Sequence, residues 1–178
     1  MSAASTADPP GTAIVIGLGN PILGDDGAGW LVADVVEAAL AGEGRRGAEP
    51  GDGHGMGRSI AVERLAVGGL TLMEHLVGYR HAVLVDAVIT GVDPPGTVRE
   101  RPLDALPRGE AGHADSSHDA TLREALDAGR ALGASLPQRL EIVTIEAASV
   151  LEVGETLTPA VVRAIPVAAD LVLSLLAR

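Results

Sequence analysis

The chain contains no Phe and only one Tyr and one Trp among 178 residues, although 47% of it is apolar. Val, Leu, Ile and Ala must therefore fill whatever core forms. These residues crowd into short runs rich in β-branched side chains, as in His81-Ala82-Val83-Leu84-Val85-Asp86. Continuous apolar runs of that length suit strands buried on both faces, which is the habit of a parallel sheet covered by helices. The apolar fraction excludes overall disorder, and the length is enough for one domain with a sizeable core.

The order of elements supports that reading. Thr12–Gly17 predicts a first buried strand. Gly27 to about Ala41, carrying Trp30, Leu31, Val35 and Leu40 with polar residues between them, predicts an amphipathic helix. Gly42–Arg58 holds seven Gly and one Pro and is expected to be a flexible surface loop within the domain. Ser59–Leu65 and His81–Asp86 follow as strands, with a short helix over Thr71–Val77 between them. Thr97–Arg101 is a short polar strand suited to an edge. Thr121–Gly133 is a helix with a Thr-x-x-Glu capping pattern, Leu140–Ala147 a last strand, and Thr158–Ala177 a last helix opened by Thr-Pro. Strands alternating with helices make an α/β sandwich with a mainly parallel sheet. Residues 1–11 are expected to be a disordered leader and 12–178 a single domain.

A formal net charge of −11 argues against nucleic acid and against an anionic membrane surface. It suits a soluble monomer. No apolar run reaches the roughly 18–20 residues of a membrane span, and the leader lacks the regions of a signal peptide. The absence of Cys excludes disulfides, thiolate metal sites and cysteine nucleophiles, and the cytosol is the expected compartment.

Three side chains at the ends of elements can carry chemistry: Asp26 in Gly24-Asp25-Asp26-Gly27, Asp86 closing its strand, and His118 in Ser116-Ser117-His118-Asp119. In an open α/β sheet such ends converge on one crevice. Two carboxylates and an imidazole there suit a divalent cation with open positions. Each has a plainer alternative. Asp25 and Asp26 can cap the helix that follows, though one Asp suffices for that. Asp86 can bond the amides of its own turn. His113 competes with His118, which is preferred because it precedes a helix whose positive end disfavours the imidazolium form. His54, His75 and His81 read as structural or solvated. Gly17-x-Gly19 invites a nucleotide-binding reading, but the third Gly of that fingerprint falls on Ile22. Neither a Gly-x-Ser-x-Gly elbow nor a His-Glu-x-x-His motif occurs.

Taken in order, several segments resemble the hydrogenase maturation proteases, endopeptidases that trim the C-terminus of the [NiFe]-hydrogenase large subunit. The most specific is Ile16-Gly17-Leu18-Gly19-Asn20-Pro21-Ile22-Leu23-Gly24-Asp25-Asp26-Gly27-Ala28-Gly29. Gly68-Gly69, Asp86-Ala87, Ser117-His118 and Leu157-Thr158-Pro159 support it. The resemblance implies a three-layer α/β/α sandwich, phosphorylase/hydrolase-like, with a five-stranded mixed sheet and one antiparallel strand. It implies metal engagement by Asp26, Asp86 and His118, with nickel carried by the large-subunit precursor rather than by the resting enzyme. The family commonly has Asp before the Gly-Gly pair, where this chain has Val67. That departure leaves open a noncatalytic accessory protein that binds nickel or the precursor with the same pocket.

Overall fold

The apolar run expected to open the fold does so as strand β1 (Ala13–Leu18), buried at every position. The structure, a computed structural model, describes residues 13–46, 59–103, 117–150, 154 and 156–178. The leader over 1–11 and the loop over 47–58 lie outside the described residues. After β1 come α1 (Ala28–Arg46), β2 (Ile60–Leu65), α2 (Gly69–Leu76), β3 (His81–Val88), β4 (Val98–Pro102), α3 (Ser117–Ala131), β5 (Arg139–Glu146) and α4 (Pro159–Leu176). A 3₁₀ turn at Gly24–Gly27 leads into α1.

The five strands form one sheet in the order β2-β1-β3-β5-β4. β1 pairs in parallel with β2 and β3, and β3 with β5. Only β4 runs antiparallel, against β5 at the sheet's edge, where the polar sequence predicts an edge strand. Side-chain alternation then divides the core in two. Val15, Val83, Val85, Val143 and Ile145 pack with α1 and α4. Ile14, Ile16, Leu84 and Ile142 pack on the other face with α2 and α3. The result is the expected three-layer α/β/α sandwich with a mixed, mostly parallel sheet.

This strand order fixes where a site can form. β1 sends the chain outward to β2, whereas β3 sends it the other way, toward β4 and β5. The chain reverses direction between β1 and β3, and the crevice at their C-terminal ends is the place such sheets use for ligands. Asp26 follows β1 and Asp86 lies near the end of β3, so the two flank that crevice.

Glycines let the helical layer approach it. A Cβ added to Gly29, in the first turn of α1, would lie 2.3 Å from Leu18 O and 2.6 Å from Val85 O. One added to Gly17 would lie 2.2 Å from Gly29 O. Gly19 has φ of 115° and faces the Asp26 carbonyl at 1.9 Å from the same hypothetical atom. The glycines that suggested a nucleotide loop thus serve backbone-on-backbone packing of α1 and its 3₁₀ turn over β1 and β3.

Two boundaries differ from the sequence reading, and one helix is more continuously apolar than that reading allowed. α1 continues to Arg46 through Gly42 and Gly44, into the stretch read as loop. A Gly inside a helix costs only about 1 kcal/mol, and the intervening Glu43, Arg45 and Arg46 favour helix. α3 begins at Ser117, so His118 lies within its first turn instead of preceding it. α4 is an 18-residue helix apolar enough on length and composition to span a membrane, longer than the short run recognised in the sequence. Its Val161, Ala164, Ile165, Ala168, Ala169, Val172, Leu175 and Leu176 are buried in the core, which accounts for its composition.

Gly29→Ala is expected to destabilise the protein by roughly 3 kcal/mol, at the upper end of ordinary overpacking, because both neighbours are backbone atoms. Gly42→Ala, which meets nothing within 4 Å, is expected to stabilise by up to about 1 kcal/mol. Urea unfolding of the two variants checks the contrast.

Candidate functional site

The two adjacent acids after β1 do different work. Asp25 is 1% exposed, and both of its oxygens are occupied. Ala148 N–H donates to Oδ2 at 3.0 Å, Thr158 N–H to Oδ1 at 2.6 Å, and the Thr158 hydroxyl to Oδ2 at 3.0 Å. The carboxylate therefore ties the 3₁₀ turn to the end of β5 and the start of α4. Backbone bonds reinforce the tie: Gly24 N–H donates to Gly154 O and Gly154 N–H to Ile22 O. Thr158, expected as a helix cap, makes no side-chain cap bond. Its hydroxyl serves Asp25 instead.

Asp26 is only partly buried, and its Oδ2 accepts from Asn20 N–H at 2.6 Å. Among the described residues its Oδ1 accepts no hydrogen bond. That bond to Asn20 closes the loop across six residues and fixes the carboxylate above the end of β1. Both acids lie in the first turn of the 3₁₀ helix, where its dipole favours them, but their hydrogen-bond partners are Asn20, Ala148 and Thr158, not the amides of the turn or of α1.

Asp86 is 4% exposed and sits in register with Thr144 of β5, itself 2% exposed. Alternation with Ala82 and Leu84 turns it to the face covered by α2 and α3. The start of α3 belongs to the same end of that face. Its C-terminal side meets the N-terminal ends of the strands, where Gly78 N–H donates to Ser135 O and Gln138 N–H to Arg80 O. Fifteen helical residues span about 22 Å, nearly the length of β3, which carries Ser117 and His118 to the C-terminal edge. The side chain of His118 lies outside the described residues.

Asp26, Asp86 and His118 together offer two carboxylates and an imidazole, donor types that divalent cations accept. Among the described residues no group of three His, Asp or Glu side chains is arranged to hold a metal ion. Asp26 and Asp86 are brought to one edge, and the first turn of α3 comes to the same edge. Of the other histidines, His75 Nδ1 lies 2.7 Å from Glu63 and His81 Nε2 2.6 Å from Glu141, structural pairs as expected. His54 and His113 lie outside the described residues.

Two further charged groups on the Asp86 face of the sheet, in β5 and β4, carry no local sequence signal. Glu146, 3% exposed, accepts from Thr90 N–H, the Thr90 hydroxyl and Gly91 N–H at 2.7, 2.8 and 2.9 Å. It pins the loop after β3. Arg99 donates through two nitrogens to Asp93, holding that carboxyl below its usual range, with a weaker contribution from Arg101.

A family profile described as hydrogenase maturation protease (HycI) matches residues 66–175, which include Asp86 and His118. The chain belongs to the hydrogenase maturation protease family. It is a peptide hydrolase of hydrogenase maturation. Among solved structures, the hydrogenase-maturating endopeptidase HybD from E. coli is 25% identical, covers 92% of this chain and 90% of its own, and superposes with a TM-score of 0.65. The [NiFe] hydrogenase maturation protease HybD from Thermococcus kodakarensis shares the fold at 21% identity, with 92% and 98% coverage and a TM-score of 0.61. No curated protein sequence matches the chain. Within the maturation-protease fold, Gly68 takes the cap position of α2 and Gly69 has φ of 56°. The Gly-Gly pair therefore starts a helix with or without an acid at Val67.

Asp25→Asn would turn an amide N–H₂ toward N–H donors, and is expected to cost about 2–3 kcal/mol of stability. Asp26→Asn, part-exposed and with an acceptor retained for Asn20, is expected to cost less than about 1 kcal/mol. Chemical denaturation of both variants separates the structural acid from the site acid.

Proposed function

We propose that this hydrogenase maturation protease removes the C-terminal extension of a [NiFe]-hydrogenase large-subunit precursor after nickel insertion, using Asp26, Asp86 and His118. The observation that carries the reading is the placement of Asp26 and Asp86 on either side of the β1/β3 reversal, in a member of this family. Nickel enters with the precursor as part of the substrate. Recognition of that ion by two carboxylates and an imidazole would make cleavage conditional on metal insertion.

A metal with open positions polarises a carbonyl and acidifies bound water. Beside it, Asp26 has the geometry of a general base: Asn20 holds one oxygen and the other is available to take a proton from water. The water oxygen adds to the scissile carbonyl carbon, the C–N bond breaks, and the proton passes to the departing amine. Asp86, buried in the sheet, and His118, at the start of α3, would orient the precursor's metal. The acidic charge and the family relationship support a cytosolic, monomeric enzyme that acts on protein and not on nucleic acid or membrane.

Incubation of nickel-loaded precursor with wild type and His118→Ala tests the reading. Wild type is expected to process the precursor, and the variant to be slower by about 10²-fold or more. Equal processing would remove His118 from the site. Tight binding by wild type without cleavage would instead support the accessory role.

A further inference from the structure

This acidic chain has 13 arginines and no lysine, and one arginine reaches from the edge strand toward the strand beside Asp86. Arg101 lies in β4 opposite Ile142, on the face covered by α2 and α3. Its guanidinium does not stay at that level. Nε donates to the Thr144 hydroxyl at 3.2 Å, one step nearer the C-terminal edge of the sheet. Thr144 is the register partner of Asp86. The Arg101 side chain is 23% exposed, and its Nη2 stands 3.7 Å from Asp93, beyond hydrogen-bond reach. Asp93 is already engaged by Arg99 through both oxygens. The remaining Arg101 donors make no hydrogen bond among the described residues.

A half-buried guanidinium with unused, coplanar donors is the chemistry that recognises a carboxylate in a fork geometry. Its position sets the distance. Neighbouring strands lie about 4.8 Å apart and an extended peptide advances about 3.3 Å per residue. A ligand crossing from Asp86 past Thr144 therefore reaches Arg101 in roughly two or three residues. Asp26, Asp86 and Glu146 make the neighbouring part of this edge acidic, and Arg99, the other cation here, is bound to Asp93, so a peptide carboxylate is best received at Arg101.

We infer that Arg101 is a specificity-determining residue that binds a carboxylate of the peptide substrate two or three residues from the cut bond. The inference rests on the function proposed above. Two sources share this chemistry: an Asp or Glu side chain near the bond, or the terminal carboxylate of the precursor folded back to the site. Arg99 does not share the role, because its donors are committed to Asp93 and its side chain is 51% exposed.

Steady-state processing of nickel-loaded precursor by wild type, Arg101→Gln and Arg101→Lys tests it. Three precursors are compared: unaltered, with Asp and Glu within four residues of the bond changed to Asn and Gln, and with the terminal carboxylate amidated. Arg101→Gln is expected to raise KM about 10–100-fold with kcat changed less than about threefold, and Arg101→Lys to recover part of the loss. One altered precursor should raise KM for wild type by a similar factor and raise it no further for Arg101→Gln, which identifies the source. An unchanged KM in Arg101→Gln, or effects of variant and precursor that simply multiply, overturns the inference while leaving the protease reading intact. Wild type that leaves every precursor uncut overturns that reading instead.

Discussion

Contact between two backbones holds the site in place. The first turn of α1 lies against the carbonyls of Leu18 and Val85, at a separation that admits no side chain at Gly29. Because that contact crosses from β1 to β3, it fixes the turn bearing Asp25 and Asp26 over the point where the sheet changes direction. Moving the helix outward by even one methyl group would lift Asp26 away from the end of β3. The dense glycines of this segment are therefore a steric requirement of the crevice, with no phosphate needed to explain them.

Burial then sorts the acids at this edge. Asp25 and Glu146 are each held by three hydrogen bonds, and they anchor the segments before α4 and after β3. A buried carboxylate so satisfied is a structural fastener, since its removal strands several donors. Asp26 has one structural bond, from Asn20 N–H, and among the described residues its other oxygen accepts none. Rigid surroundings and an available oxygen are the combination a positioned base or ligand requires. Arg99 and Arg101 bring positive charge to the same edge from β4, in an otherwise acidic molecule.

Most of the architecture was legible because its physics is local. Strands buried on both faces read as continuous apolar runs, and the polarity of Thr97–Arg101 marks the edge. Asp26 and Asp86 could be singled out because each follows or closes an apolar strand, and His118 because it stands near the start of a helix. The division of labour between Asp25 and Asp26 could not be read, since the partners of Asp25 are Ala148 and Thr158, more than a hundred residues away. Arg101 and Thr144 were invisible for the same reason: their relation to Asp86 exists only through sheet register. Helix ends were misjudged where propensity is weak, at Gly42–Arg46 and at Ser117.

The central claim is that this packing delivers Asp26, Asp86 and His118 to a single ion. Anomalous diffraction from crystals of the protein soaked in Ni²⁺ or Co²⁺ measures it directly. The account predicts one ordered peak with a carboxylate oxygen of Asp26, one of Asp86 and a ring nitrogen of His118 each within about 2.3 Å. A well-occupied peak at this edge that lacks any of the three, or His118 turned to another face of α3 with the metal bound, would contradict it.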